Sequence, residues 1–165
     1  MKKITLSFIF SILLCCFSFS QERSELLMKY ISKPLNNEIE VYINLIDEKV
    51  NEKKPFTYYN TTKKKQEIPL KELKKDFRLK LKKNKKINEH SYIVTLNRFK
   101  EFQFNVIYNT NSNSTTVFFK PQKAWYKINK IVFNYQDPKE KKLEKITIFS
   151  NQFITGDFKT FEFKK

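Results

Sequence analysis

The sequence predicts an α+β domain in which two N-terminal amphipathic helices pack on a meandering antiparallel β-sheet of about five to six strands. Three observations carry this expectation. Between residues 22 and 50 apolar side chains recur at steps of three and four, the spacing of one helix face. Between residues 92 and 163 they alternate with polar ones at steps of two, in segments rich in β-branched and aromatic residues. The connections between those later segments are too short for helical crossovers, which implies hairpins.

The chain of 165 residues begins with Lys2 and Lys3, then the apolar run Ile4–Phe17, then Ser18 and Ser20. This is the layout of a cleavable signal peptide over residues 1–20, cut between Ser20 and Gln21. The alternative membrane anchor is too short: Ile4–Phe19 has 16 residues, interrupted by Ser7 and Ser11, against the roughly 20 that span a bilayer. Lipid attachment at Cys15 or Cys16 is disfavoured, because neither follows a small residue. The signal resembles a bacterial export signal, so the product is expected in the periplasm or secreted. Both cysteines leave with it. Residues 21–165 then form a single α+β domain with no disulfide, no disulfide-linked partner and no thiolate nucleophile.

The elements follow in order. In Glu22–Ser32, Leu26, Leu27, Tyr30 and Ile31 make a helical stripe, Ser24 caps its start and Lys33-Pro34 ends it. In Glu38–Val50 a second stripe runs through Ile39, Tyr42, Ile43, Ile46 and Val50, with Asn36 or Asn37 as the cap. Phe56–Asn60 reads as a short strand. Pro69 suits the first position of a third helix, with Leu70, Leu73, Phe77 and Leu81 on one face. Phe77, Leu79 and Leu81 also alternate with Arg78, Lys80 and Lys82, so residues 70–86 fit a short helix followed by a strand. Tyr92–Phe99, Phe102–Asn109, Thr115–Lys120, Trp125–Phe133, Ile146–Phe153 and Phe158–Phe163 read as strands. Asparagines in connectors such as Asn109–Ser114 stand in for missing glycines, because Asn tolerates positive φ.

This order, two helices, a short strand, a third helix and then an antiparallel sheet, is similar to the cone-shaped nuclear-transport-factor-2-like fold. The resemblance implies a curved sheet with a pocket beneath its helices. It rests on element order alone and brings no function with it.

Scarcity excludes several chemistries. One glycine leaves no phosphate-cradling loop, dinucleotide fingerprint or nucleophile elbow. One histidine leaves no histidine-rich metal centre. No cofactor and no metal is expected, and no catalytic residue is assigned. His90 reads as a loop side chain, and Asp47/Glu48 and Glu140/Glu144 as exposed charges.

Charge is the strongest positional signal. Lys+Arg total 33 against 17 Asp+Glu, and residues 63–86 hold twelve of the basic residues with only three acidic ones. Such a segment attracts anionic polymers or surfaces. The candidate anion-binding residues are Lys74, Lys75, Arg78, Lys80, Lys82, Lys83, Lys85 and Lys86. Two facts argue for a blander origin. Only three basic residues are Arg, the residue that phosphate readers favour. Lys, Asn, Ile, Phe and Tyr also supply 86 of the 165 residues, the skew of an AT-rich coding sequence. Aromatics interleave with lysine in Phe118-Phe119-Lys120 and Trp125-Tyr126-Lys127; base-stacking platforms use such pairs, although Phe-rich strands more commonly build core. Trp125 and Tyr126 are candidates to line a pocket.

The function expected from these features is an exported, non-enzymatic binding or accessory module of the bacterial envelope. Its anionic partner would meet the lysine-rich 63–86 surface and would be lipid headgroups, an acidic glycan or an envelope protein, with nucleic acid the less expected choice. The alternative is a small-molecule or lipid pocket protein, or a small hydrolase, with a cavity between helices and curved sheet. A third is an accessory subunit that docks an apolar helix face on a larger complex.

Overall fold

The computed structural model describes residues 22–33, 37–62, 64–82, 90–121, 123–136, 139 and 142–164, so the expected signal peptide lies outside the described residues. Regular structure among the described residues is all β. The strands are β1 (Glu22–Lys33), β2 (Asn37–Ile46), β3 (Lys49–Val50), β4 (Phe56–Asn60), β5 (Gln66–Glu67), β6 (Leu79–Lys82), β7 (Ser91–Leu96), β8 (Gln103–Asn109), β9 (Ser114–Phe119), β10 (Tyr126–Tyr135), β11 (Leu143–Gln152) and β12 (Phe158–Lys164). The α+β expectation is therefore overturned. Both expected N-terminal helices are strands, and twelve strands replace the expected five to six.

The physical reason is visible in β1 and β2. Along β1 the buried positions are Glu25 and Leu27, then Met28, Tyr30 and Ser32. The phase changes where the pairing with β2 slips between Leu26 and Met28. A β-bulge inserts one residue and sends every later side chain to the other face. Leu27 and Tyr30 thus lie three apart and both face the core, which mimics a helix. Leu26, assigned to the same stripe, is 41% exposed. In β2 the core residues are Ile39, Val41, Ile43 and Leu45, at steps of two. The step from Ile39 to Ile43 satisfies both periods and cannot discriminate between them. The β-branched content of this strand does.

The expected third helix is also absent. Pro69–Arg78 is a succession of tight turns, closed by bonds such as Glu72 N–H to Pro69 C=O (2.8 Å) and Phe77 N–H to Lys74 C=O (3.1 Å). Leu73 and Phe77 nevertheless enter the core, while Leu70 is 57% exposed. The strand expected after it is β6. With no helix among the described residues, the likeness to the nuclear-transport-factor-2-like fold fails, and with it the expected placing of a cavity between helices and sheet.

The twelve strands form one mixed sheet in the order β5-β4-β2-β1-β10-β9-β8-β7-β6, with β3 on β2, and β11 then β12 on the other edge of β10. The expected all-antiparallel meander fails at one place, where β1 and β10 run parallel from Lys29↔Lys130 to Lys33↔Asn134. Strand β10 is a fork. Tyr126 and Lys127 pair with β9, residues 130–134 pair with β1, and the opposite edge pairs with β11 along its length. A register shift between Ile128 and Lys130 lets the strand change partners.

Side chains fold the sheet over on itself. The Leu79 N–H of β6 donates to the Tyr58 hydroxyl of β4 (2.8 Å), and the Val50 N–H of β3 donates to the Tyr92 hydroxyl of β7 (3.2 Å). The enclosed core includes Tyr30, Phe104, Ile131, Phe133 and Ile148, all fully buried. Tyr30 and Phe133 meet edge to face at 5.3 Å, and Phe77 closes on Phe133 at 4.8 Å. Burial on this scale, at about 25 cal/mol per Å² of apolar surface, is the dominant favourable term. Positive φ falls on Asp47, Glu48, Lys64, Lys65 and Asn113 as well as Gly156. Asn113 fills the role expected of asparagine, and Asp47-Glu48 form the two-residue turn between β2 and β3.

Candidate functional site

Adjacent residues of a strand point to opposite faces. The doublets Phe118-Phe119 and Trp125-Tyr126 are therefore split. Phe119 and Tyr126 turn inward, where Tyr126 meets Phe161 at 4.8 Å and Phe119 meets Phe161 at 5.7 Å. Phe118 turns outward, and the ladder extends its row through Lys127 and Asn151 to Phe158. Directly opposed residues share a face, so this row crosses β9, β10, β11 and β12 on the side away from the core. Lys130, Phe149 and Thr160 make the next row.

At one end of this face stand four exposed apolar side chains: Trp125 (37%), Phe153 (64%), Ile154 (89%) and Phe158 (62%). Trp125 and Phe153 both meet Phe118 edge to face, at 6.2 and 5.1 Å. The Phe153 N–H donates to the Trp125 carbonyl (2.9 Å), which ties the tip of the β11–β12 hairpin to the β9–β10 connection. The tip itself is well bonded. Gly156 N–H donates to Gln152 C=O (2.9 Å), Asn151 Nδ2 to Gly156 C=O (2.9 Å) and the Thr155 hydroxyl to Asp157 Oδ2 (2.7 Å). Gly156, at φ +76°, makes the return.

The charge on this face is mainly cationic. Lys120 Nζ stands 5.0 Å over the Trp125 ring and Lys130 Nζ stands 4.9 Å over Phe149. Lys127 is exposed in the outer row, and Asp157 is the acidic residue of the tip. Open aromatic faces edged by ammonium groups suit a surface that is apolar and anionic at once. Sequence reasoning singled out the Phe118 and Trp125 doublets but missed Phe153 and Ile154. The signal was present: two large apolar residues immediately before Thr155-Gly156, at a hairpin tip where polar residues are the rule.

Among the residues expected to bind anions, Lys74 and Arg78 make contacts within the fold. The Arg78 guanidinium is used internally, donating to the Leu73 carbonyl (2.9 Å) and the Lys71 carbonyl (3.4 Å). Lys74 Nζ lies 4.8 Å over the Tyr135 ring. Lys75 and Lys80 are exposed, Lys80 on the edge strand β6, where lysine also discourages pairing with a second chain. Lys82 belongs to β6, and Lys83, Lys85 and Lys86 lie outside the described residues. Of the two pocket candidates, Tyr126 is a core residue and Trp125 belongs to the outer face.

Other polar groups serve the fold. A cleft of about 560 Å³ is lined by Arg23, Asp47, Glu48, Tyr108 and Asn113 among others. Beside it Arg23 meets the buried Glu25 at 2.6 Å, a charge contact rather than a well-directed hydrogen bond, and Thr115 donates to Glu25 at 2.7 Å. On β1 and β2, Lys29 bridges Glu38 (3.0 Å) and Glu40 (3.1 Å). Hydrogen bonding to Glu38 and then Glu40 raises the Lys29 ammonium above its ordinary range. Burial pushes the Glu40 carboxyl upward, but the bonds from Lys29 and Tyr42 outweigh it and hold it below the usual range. His90 packs against Tyr108, with ring centroids 6.1 Å apart. Among the described residues no group of three or more His, Cys, Asp or Glu is placed to hold a metal ion.

Compared with known protein families, curated proteins and solved structures, the chain matches none.

Proposed function

We propose that the protein is an exported, non-enzymatic module that binds an anionic surface of the cell envelope through the outer face of β9–β12. One observation carries this reading: Trp125, Phe153, Ile154 and Phe158 are exposed together on a face that also bears Lys120, Lys127 and Lys130. Large apolar patches rimmed by charge mark interaction sites, and the rim fixes the sign of the partner. The lysine-rich 63–86 segment contributes long-range attraction.

The test compares retention on heparin and on vesicles containing phosphatidylglycerol near 0.15 M salt. Changing Lys120, Lys127 and Lys130 to Gln removes three charges from the face; changing Lys71, Lys75 and Lys80 to Gln removes three from the other segment. The first set is expected to weaken retention at least tenfold and the second by less than threefold. The reverse order would place the contact on the 63–86 segment, and no retention of the parent protein would refute anion binding altogether.

A further inference from the structure

We infer that the β11–β12 hairpin tip inserts Phe153 and Ile154 into a lipid bilayer, so that the anionic surface is a phospholipid leaflet. This rests on the anion-binding reading above and names its partner. Three features converge on it.

The tip is the most apolar exposed point among the described residues, with Ile154 89% and Phe153 64% exposed. It is also held in shape. Hydrogen bonds from Gly156, Asn151 and Thr155 fix the turn, and the Phe153 N–H is bound to the Trp125 carbonyl. A fixed loop loses little conformational freedom when its side chains are buried. Behind the tip lie Trp125, with Lys120 Nζ over its ring, and Phe158, in the same cross-strand row as Lys127; Lys130 stands one row further along. Apolar residues at the apex, with an indole and lysines together behind them, match acyl chains at the tip and an anionic interface around its base. Each lysine near an anionic leaflet strengthens binding by roughly fivefold.

Ile154 also separates lipid from the other anionic candidates. A glycan offers hydroxyl groups and ring faces, and a nucleic acid offers bases and phosphates. An isoleucine side chain has no ring to stack on either and no hydrogen bond to give. Acyl chains ask for nothing more than its methyl groups.

Trp125 is the chain's one tryptophan and sits on this face, so its emission reports directly on insertion. The parent and a Phe153→Ser/Ile154→Ser variant, taken from the same exported fraction, are titrated with vesicles of phosphatidylglycerol and phosphatidylcholine. The parent is expected to show blue-shifted Trp125 emission that brominated acyl chains quench. The variant is expected to lose vesicle affinity at least tenfold while its heparin retention and melting midpoint stay unchanged. Vesicle binding by the variant within twofold of the parent, with heparin retention intact, would overturn the inference and leave the anion-binding reading standing. Absence of both vesicle and heparin retention in the parent would overturn both.

Discussion

The Tyr135 hydroxyl donates a 2.9 Å hydrogen bond to Oδ2 of Asp76, fifty-nine residues away, and both groups are buried. The other carboxylate oxygen accepts from Arg98 at 3.1 Å. One side chain thereby joins the turns after β5, the end of β10 and the loop after β7. Asp76→Ala removes the bonds from Tyr135 and Arg98 together, and the expected loss is about 2–3 kcal/mol in urea unfolding. Tyr135→Phe leaves the carboxylate its Arg98 partner and is expected to cost about 1 kcal/mol. The two losses should not add, because both remove the same bond.

Tyr30 and Tyr58 give opposite expectations for the same substitution. The Tyr58 hydroxyl accepts the Leu79 N–H, so Tyr58→Phe strands a backbone donor and is expected to cost about 1–2 kcal/mol. The fully buried Tyr30 hydroxyl has no hydrogen-bond partner among the described residues. Tyr30→Phe is expected to be neutral or to stabilise by up to about 1 kcal/mol. Chemical unfolding of the two variants checks the contrast.

Alkaline stability follows from the same residues. Burial pushes the Tyr58 hydroxyl from 10.0 up to about 12, and burial raises Tyr30 well above its ordinary value. A raised value in the fold means both states are neutral below pH 10, where no stability is lost. Between pH 10 and 12 the unfolded chain releases these protons and the fold does not, so stability falls. For Tyr58 the loss is on the order of 2–3 kcal/mol across that window. Unfolding midpoints measured from pH 9 to 12 should fall less steeply for Tyr30→Phe than for the parent.

Gly156→Ala isolates a backbone effect. A Cβ there would meet nothing within 4 Å, yet φ is +76°. The expected cost is about 1 kcal/mol, arising from conformation alone. Thermal unfolding should show it, and Gly156→Asn should recover part of the loss.

The later strands were legible because one face is buried and the sequence alternates plainly, as in Phe104, Val106 and Tyr108 of β8. The first two were not, for local reasons. The bulge at Leu27 breaks the period of two, and Ile39 and Ile43 satisfy a period of two and one of 3.6 alike. The parallel pairing of β1 with β10 has no local signature at all, since it joins residues far apart in sequence. The outer face of β9–β12 was half legible. The aromatic doublets advertised it, but which member of each faces outward depends on register, and register is set by the partner strand. Net charge drew attention to residues 63–86, where Arg78 and Lys74 turn out to bind within the fold.

The parallel ladder between β1 and β10 also dictates an order of folding. Lys29 must wait for Lys130, about a hundred residues later, before β1 gains its second neighbour. A chain arriving from its N-terminus can close the β1–β2 hairpin at once, but one side of β1 then presents unpaired backbone groups until β10 arrives. Any C-terminal deletion that removes β10 leaves that side open for good, and the expected product is an aggregate rather than a smaller folded domain.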